Sequence, residues 1–234
     1  MLATIILSGG ASQRMGSPKA LLPYRGKTFL QHLLEVSAHP KVGERRIVLG
    51  PHANAIRAAT SLRDADVVIN PNWEKGQLSS IHAALRSLPQ NLDGMILFLI
   101  DHPAVSSALV GELIARFYAT DTTNRHSRDL MSLNAQQSSA ASPIEATGLI
   151  YPEHRRTPSA NPSTIVLPTY NGKRGHPVIF SSTLFPELYA APIEEGARTV
   201  VWAHKLETIE VPTMEAGCLW NVNDNTALQQ VLEA

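Results

Sequence analysis

Residues 1–19 read MLATIILSGGASQRMGSPK, and they join an apolar run directly to a glycine-rich loop. The run from Leu2 to Leu7 is apolar, partly β-branched and long enough for one buried strand. Residues 8–10, Ser-Gly-Gly, end that run with small side chains that tolerate positive φ or leave room beside the backbone. The stretch therefore predicts a buried strand followed by a tight loop.

The loop after this strand carries two cations, Arg14 and Lys19, and further bends at Gly16 and Pro18. Backbone N–H groups of such a loop can form an anion nest, while Arg and Lys supply fixed positive charge. The spacing matches neither G-x-x-x-x-G-K-[ST] nor G-x-G-x-x-G, so two better-known phosphate loops are excluded. The pattern favours phosphate binding, and a plain tight turn is the alternative.

The composition is that of a globular protein with enough residues for a sizeable core. The 234 residues are 44% apolar and 17% charged, and the formal net charge is zero. This balance gives no reason to expect nucleic acid or a membrane as a partner. One cysteine, Cys218, excludes an internal disulfide and suits a reducing compartment. The apolar runs are too short for a signal peptide or a membrane span, so we expect a cytoplasmic protein.

Apolar strands alternate with amphipathic helices along most of the chain. The most apolar window, Met95 to Ile100, is expected to be a central strand. This alternation predicts an α/β fold with a parallel sheet and right-handed crossovers. Further strands are predicted at residues 46–49, 66–69, 164–167, 177–180 and 208–211. Helices are predicted at residues 27–38, 53–59, 76–88, 106–118, 184–190, 197–204 and 226–232.

Residues 119–163 differ from the rest, because they are rich in Ser, Thr, Asn, Gln and Ala and lack a periodic apolar pattern. A loop of this length is unusual inside a compact domain. We interpret it as a polar insertion, partly disordered or weakly ordered, in a single domain that spans residues 1–234. Residues 130–133 or 148–151 could form short strands within it.

Asp101 stands at the end of the most apolar strand, and Pro103 prevents the chain from continuing that strand. In open α/β sheets, ligands bind outside the carboxyl ends of the strands, where the strand order reverses. If the first strand and the 95–100 strand are neighbours, Asp101 faces the 8–19 loop across that crevice. A lone carboxylate beside phosphates would hold Mg²⁺, with waters and phosphate oxygens as the other ligands. The alternative is a cap on the next helix, for which that helix has better-placed serines.

A second polar turn, residues 70–80, reads NPNWEKGQLSS and joins a strand end to a helix start at the same edge. Gly76 lets the backbone come close to a planar ligand. Gln77, Ser79 and Ser80 can form hydrogen bonds with the polar edge of such a ligand. The alternative is an ordinary helix cap by Ser79 or Ser80.

Two later segments carry polar groups that could reach the crevice. Residues 172–177, GKRGHP, cluster three potential cations beside two glycines, with residues 172–176 expected at a hairpin tip. This segment could bind an anionic acceptor or could be a solvated hairpin. Asn221 and Asn223 alternate with Val222 and so point the same way, either into the crevice or towards buried backbone groups.

The order of these motifs is similar to that of a known family. They are Ser8-Gly9-Gly10, Arg14-Met15-Gly16, Lys19, the 70–80 turn, Asp101-x-Pro103, Arg174-Gly175-His176-Pro177 and Gly196-Ala197-Arg198. The chain resembles the MobA/MocA-like nucleotidyltransferases, which attach a nucleotide to molybdopterin-type cofactors. The resemblance covers nearly the whole chain outside the insertion. It implies a Rossmann-like three-layer α/β fold of the glycosyltransferase-A type with a mostly parallel central sheet.

The resemblance also implies a role for each motif. Arg14 and Lys19 would lie on the triphosphate oxygens, and Asp101 would complete the catalytic set by carrying Mg²⁺ with Asn223 as a second metal ligand. The implied nucleotide-binding residues are Leu7, Ser8, Gly9, Gly10, Ser12, Arg14, Met15, Gly16, Lys19, Asn70, Gly76, Gln77, Ser79 and Ser80. The implied acceptor-binding residues are Arg174, Gly175, His176 and Pro177.

The nucleotide base stays open, because the motifs conflict. Residues 8–10 and 221–225 resemble the guanylyl branch, whereas residues 174–177 and 196–198 resemble the cytidylyl branch. The implied reaction moves a nucleoside monophosphate from CTP or GTP to a phosphorylated acceptor, with molybdopterin expected and a molybdoenzyme or its chaperone as a candidate protein partner. A sugar-phosphate acceptor and a non-catalytic nucleotide- or cofactor-binding module are the alternatives.

Overall fold

The computed structural model describes residues 1–12, 15–63, 66–119 and 164–233 of the chain. Arg14 and most of the predicted insertion, including residues 130–133 and 148–151, lie outside the described residues. The described strands are β1 (Leu2–Ser8), β2 (Pro23–Tyr24), β3 (Lys27–Thr28), β4 (Val42–Leu49), β5 (Val67–Ile69), β6 (Gly94–Leu99), β7 (Ile165–Tyr170), β8 (Lys173–Arg174), β9 (Val178–Ser181) and β10 (Thr208–Pro212).

Eight of these strands form one sheet in the described part of the chain, in the order β5-β4-β1-β6-β9-β7-β10, with β8 paired to β7. Strands β5, β4, β1 and β6 are parallel, and β10 is parallel to β7. Only β9 on this path runs antiparallel to its neighbours, β6 and β7. The short strands β2 and β3 form a separate hairpin. The sheet is therefore mostly parallel, as predicted.

Helices cover both faces of the sheet. They are α1 (Phe29–Val36), α2 (Ala53–Ala59), α3 (Gln77–Arg86), α4 (107–119), α5 (Phe185–Ala190), α6 (Arg198–Ala203) and α7 (Asn225–Glu233). Along β1, Leu2 and Ile6 pack with α1, α2, α4 and α7 in one apolar cluster. Ile5 and Leu7 point the other way and pack with α3, α5 and α6. Because successive side chains of a strand face opposite sides, this alternation produces the three layers.

The strand order reverses at β1, and this places the candidate site. Strand β1 lies between β4 and β6, and Leu7 pairs with Leu99 at the carboxyl ends of β1 and β6. The Ile100 N–H also donates to the Leu7 carbonyl at 3.1 Å. The loop after β1 and the loop after β6 therefore leave the sheet side by side, which is where ligands bind in open α/β folds.

Two predicted strands were too short. Strand β4 begins at Val42 rather than at residue 46, because it pairs with β1 from Leu2 onwards despite its polar first half. Strand β7 continues through Pro168 to Tyr170, whereas the prediction ended at residue 167. Proline keeps its carbonyl, and the Pro168 oxygen accepts the Gly175 N–H at 2.8 Å.

Two turns also differ from the prediction. The helix predicted from residue 27 begins at Phe29, because Thr28 and Gln31 form a reciprocal capping box that fixes its start. The hairpin tip predicted over residues 172–176 is only the turn at Asn171 and Gly172, which have φ values of 50° and 73°. Lys173 and Arg174 already belong to β8, which pairs with the end of β7.

Gly50, which follows β4, gives a test of how tightly the first loop is packed. A Cβ at this position would lie 2.1 Å from the Gly9 carbonyl oxygen, so Gly50→Ala must force two backbone segments apart. We expect a loss of about 2 kcal/mol in the free energy of unfolding, measured by urea denaturation, as is usual for overpacking.

Gly111→Ala is the matched control for this substitution. Gly111 lies in α4, where a Cβ would meet nothing within 4 Å. Alanine should therefore stabilise the helix by up to about 1 kcal/mol through its higher propensity. Equal effects of the two substitutions would contradict a backbone contact between Gly50 and Gly9.

Candidate functional site

A cleft of about 510 Å³ opens at the carboxyl ends of β1 and β6. The glycine-rich loop forms one wall, and the turn before α3 forms another. The residue after β6 and a residue just before α7 close the cleft. Its lining residues are Leu7, Ser8, Gly9, Gly10, Ala11, Ser12, Met15, Lys19, Trp73, Glu74, Gly76, Gln77, Ser80, Leu99, Ile100, Asp101 and Asn223.

Lys19, Asp101 and Asn223 meet at this cleft although they are far apart in sequence. The Lys19 Nζ donates to the Asn223 Oδ1 at 2.6 Å and lies 3.5 Å from the Asp101 Oδ2. The Val222 N–H donates to the Asp101 carbonyl at 2.8 Å, which fixes Asn223 beside Asp101. The Lys19 and Asp101 side chains are only 14% and 24% exposed, so their attraction is less screened by water than at an open surface.

The glycine-rich loop is held in shape by its own hydrogen bonds. Ser12 has a φ of 50°, its carbonyl accepts the Met15 N–H at 3.0 Å, and its hydroxyl accepts the Lys19 N–H at 3.2 Å. The carbonyl of Ala11 lies 2.7 Å from the His52 Nε2. Gly16, with a φ of 66°, does not line the cleft. Ser12 therefore orients the backbone that delivers Lys19 to the cleft.

The 70–80 turn is built around Asn70, whose side chain is buried. Its Nδ2 donates to the hydroxyls of Ser79 and Ser80 at 2.9 and 3.0 Å, and its Oδ1 accepts the Asn72 N–H at 2.9 Å. The Ser79 hydroxyl lies 2.7 Å from the Gly76 carbonyl. Asn70 and Ser79 hold the turn from inside and do not line the cleft, whereas Gly76, Gln77 and Ser80 do.

The four residues predicted for the acceptor do not line this cleft. Arg174 forms an ion pair with Glu210, with Nη2 at 2.7 Å from Oε1. Gly175 is buried against Cys218, whose carbonyl accepts the His176 N–H at 2.9 Å. Pro177 follows a cis peptide bond. The segment instead approaches the residues after β6 through the His176 ring, which packs against the ring of His102.

A buried imidazole, His102, follows Asp101, and the partly buried imidazole of His176 packs against it. The ring centroids of His102 and His176 are 4.7 Å apart, and neither Nδ1 has a hydrogen-bond partner among the described residues. Burial lowers the pKa of His102 against the opposing effect of the Asp101 carboxylate, whose Oδ1 lies 4.0 Å from the His102 Nε2. Burial and the neighbouring His102 lower the pKa of His176 to about 3. His176 is therefore neutral at neutral pH.

The donor set at the cleft fits a hard divalent cation. A carboxylate oxygen of Asp101 and the amide oxygen of Asn223 already converge on one positive group, the Lys19 ammonium. The described residues contain no group of three or more His, Cys, Asp and Glu side chains that could hold a metal. A cation bound by these two oxygens would take its other ligands from water or from a bound phosphate.

Sequence reasoning missed several cleft residues. The motif in residues 70–80 indicates no role for Trp73 and Glu74, but a short 3₁₀ turn at Trp73–Lys75 brings both to the wall of the cleft. Leu99 and Ile100 line the cleft simply because they end β6. The sequence signal for Trp73 and Glu74 is their position in the 70–80 turn, which is itself predicted to contact a ligand.

Residues 4–142, more than half of the chain, match the family model described as the MobA-like NTP transferase domain. The chain belongs to this family. Membership confirms the resemblance found in the sequence and the enzyme class that it implied, because the MobA-like domain is that of nucleotidyltransferases. The predicted fold class is confirmed as well. None of the described helices has the length and apolar character that crossing a membrane requires.

One similar protein is named for a different activity, that of an oxidoreductase. The nicotine blue oxidoreductase of Paenarthrobacter nicotinovorans is 35% identical over 111 residues, which are 47% of this chain and 54% of that protein. The matched region thus spans about half the length of that relative. Family membership therefore leaves the acceptor and the partners of this chain to be inferred from its own residues.

Solved structures of similar fold cover all or nearly all of the chain. Rv0371c from Mycobacterium tuberculosis H37Rv is 25% identical with a TM-score of 0.69, covering 100% of this chain and 98% of that one. A manganese complex of Rv0371c aligns with a TM-score of 0.66 at 24% identity over the same shares of the chains. Molybdopterin-guanine dinucleotide biosynthesis protein A from Archaeoglobus fulgidus has a TM-score of 0.57 at 16% identity, covering 99% and 97%. Identities below 25%, as for the last two structures, indicate a shared fold alone.

The low pKa of His176 predicts a specific loss of stability in acid. Above pH 6.5 the ring is neutral in both the folded and the unfolded chain, so its protonation does not change the free energy of unfolding. Below pH 6.5 the unfolded chain takes up the proton first, and the free energy of unfolding falls as the pH drops towards about 3. The loss can reach about 1.4 kcal/mol per pH unit.

His176→Gln should therefore show a shallower loss of stability than the wild type between pH 6.5 and 4, measured from urea unfolding at each pH. Carboxylates contribute to the acid dependence of both proteins, so the difference between the two slopes is the quantity of interest. Identical slopes would mean that the folded protein does not lower the pKa of His176.

Proposed function

We propose that this protein is a magnesium-dependent nucleotidyltransferase that moves a nucleoside monophosphate from CTP or GTP to a phosphorylated acceptor. The observation that supports this most is the meeting of Lys19, Asp101 and Asn223 beside the glycine-rich loop. These groups offer one cation for phosphate oxygens and two oxygens for a metal. The proposed acceptor is molybdopterin, in line with the family.

The glycine-rich loop is proposed to bind the triphosphate. Its backbone N–H groups would meet the phosphate oxygens, and Lys19 and Arg14 would neutralise their charge. Gly76, Gln77 and Ser80 stand on the wall formed by the turn before α3 and the start of that helix, where they would meet the base and ribose. Asn70 and Ser79 would act indirectly, because their hydrogen bonds set the shape of the turn.

Asp101 and Asn223 are proposed to hold Mg²⁺ through one carboxylate and one amide oxygen. When bound, the ion supplies Lewis-acid stabilisation of charge on the phosphate oxygens. Both residues now contact the Lys19 ammonium. Lys19 would therefore turn towards the triphosphate as these oxygens engage the ion.

The proposed reaction needs no general base from the protein. A phosphate monoester of the acceptor is largely dianionic at neutral pH, since its second pKa is about 6. One of its oxygens forms a bond to the α-phosphorus of the nucleotide, and the bond from the α-phosphorus to the bridging oxygen breaks. Pyrophosphate leaves with that electron pair. The protein contributes positioning and charge neutralisation, which suits a site with cations and a nest.

The acceptor side is proposed to involve residues 174–177. The His176 ring, which lies against His102 beside Asp101, brings this segment near the reacting centre. A screen for pyrophosphate release tests the acceptor: molybdopterin should support turnover with CTP or GTP. If only a sugar phosphate supports turnover, the acceptor is a sugar phosphate and not molybdopterin. Tight nucleotide binding without any turnover would favour a non-catalytic module.

Asn223→Ala should greatly reduce pyrophosphate release, because it removes one of two proposed metal oxygens. We expect a loss of at least about tenfold in kcat/KM, and a larger loss for Asp101→Asn, which removes the charge. Asn221→Ala is the matched control, since Asn221 is exposed and does not line the cleft. Wild-type turnover in Asp101→Asn would remove the acid from the mechanism.

Lys19→Met should separate metal binding from nucleotide binding. Without the ammonium, Asp101 and Asn223 are free of a competing cation, so we expect tighter Mn²⁺ binding to the protein alone. We expect weaker binding of the triphosphate, by roughly tenfold, because a charge-assisted contact is lost. Titration calorimetry measures both. Lys27→Met, which removes a surface ion pair with Glu35, should change neither affinity. Weaker Mn²⁺ binding by Lys19→Met would contradict the competition.

A further inference from the structure

Asp101 and Asn223 stand on two different loops, and their separation depends on how these loops are held together. We call residues 100–106, between β6 and α4, the Asp101 loop, and residues 213–224, between β10 and α7, the Asn223 loop. One tie between them is the hydrogen bond from the Val222 N–H to the Asp101 carbonyl at 2.8 Å. This bond fixes one point of each loop, and further contacts must set their relative orientation.

Glu215 joins the two loops a second time. Its carboxylate accepts the Ser106 hydroxyl at 2.5 Å and the Ser106 N–H at 3.2 Å. Its own N–H donates to the Thr213 hydroxyl at 3.2 Å, which steadies the backbone on the other side. Hydrogen bonds to an ionised acceptor are stronger than neutral ones. The tie is therefore a substantial one between a loop without a helix or strand and a loop whose only helical part is a 3₁₀ turn at Ala216–Leu219.

Between these two ties the backbones of the loops touch directly. A Cβ at Gly217 would lie 1.7 Å from the Ala104 carbonyl oxygen, so only glycine fits there. On its other side, the Asn223 loop accepts the His176 N–H at the Cys218 carbonyl. The Asn223 loop is thus enclosed between the Asp101 loop and the segment before β9. A substitution of Glu215 would therefore alter how the Asp101 loop and the Asn223 loop pack against each other.

Helix capping alone does not account for Glu215. The Ser106 hydroxyl already accepts the Leu109 N–H at 3.1 Å, which is an ordinary N-cap for α4. Glu215 lies 109 residues further along the chain than Ser106. What it adds to the existing cap is a link between the loop that carries Asp101 and the loop that carries Asn223.

We propose that Glu215 is a positioning residue for the divalent cation. It holds the Asn223 loop against the Asp101 loop, so that the Asp101 carboxylate and the Asn223 amide oxygen reach the same ion. The inference rests on the proposed function, because that function places the ion between these two oxygens. Groups that orient metal ligands without touching the metal commonly change its affinity by about 10- to 100-fold.

The test measures Mn²⁺ binding by electron paramagnetic resonance in the presence of CTP or GTP. Glu215→Ala should weaken Mn²⁺ binding about tenfold. The affinity for the nucleotide in EDTA should stay as in the wild type, since Glu215 does not line the cleft. The Mn²⁺ affinity of Glu215→Gln should lie between those of the wild type and Glu215→Ala, because the glutamine amide oxygen can still accept the Ser106 hydroxyl.

Gln31→Ala is the matched control. Gln31 accepts the Thr28 N–H at 2.9 Å in the capping box of α1, and it is exposed and does not line the cleft. The variant should lower Tm through a lost capping bond and leave the Mn²⁺ affinity unchanged. If Glu215→Ala behaves in the same way as Gln31→Ala, the positioning role is overturned.

Two further outcomes are decisive. If Glu215→Ala does not fold, Ser106→Ala removes the hydroxyl partner and should weaken Mn²⁺ binding, and unchanged binding then overturns the proposal. If the wild-type protein binds no Mn²⁺ in the presence of either nucleotide, the proposed function fails together with this inference. If instead the wild type binds Mn²⁺ and Glu215→Ala binds it equally tightly, only the role of Glu215 is overturned and the proposed function stands.

Discussion

The parallel pairing of β1 with β6 is the constraint on which the site depends. It places the start of the glycine-rich loop and the start of the loop that carries Asp101 at the same edge of the sheet, with Leu7 opposite Leu99. Neither loop could form the cleft alone. Because β1 and β6 are buried on both faces, their register is fixed by two apolar clusters, and Leu7 and Ile100, which line the cleft, belong to these clusters as well.

Much of this could be predicted from local sequence. The apolar runs at β1 and β6 indicated buried parallel strands, and Asp101 at the end of the second run indicated a site at the carboxyl edge. The glycines after β1 and the polar turn before α3 pointed to the two walls of the cleft. The strand predictions succeeded because short-range patterns determine strands, and the position of a parallel strand determines where its following loop lies; the roles of the residues in these loops stay predictions.

The rest depends on contacts between residues that are distant in sequence. Lys19 bonds to Asn223, and Glu215 bonds to Ser106, across separations of 204 and 109 residues. No periodic pattern records such pairs. The length of β7 was missed for a related reason, since the partner strands β8 and β10 extend it past Pro168. The internal role of Asn70 was likewise hidden, because a buried amide and a ligand-binding amide look the same in sequence.

Gly9 lies between two close neighbours, and this has a consequence for ligand binding. On one side its carbonyl meets the backbone of Gly50, and on the other a Cβ would be 2.9 Å from the Ser80 hydroxyl oxygen. The start of the loop is thus clamped between the end of β4 and the first turn of α3 before any ligand arrives. Under the proposed function, a phosphate group bound there would order little further backbone, so that less of its interaction free energy would be lost as conformational entropy of the protein.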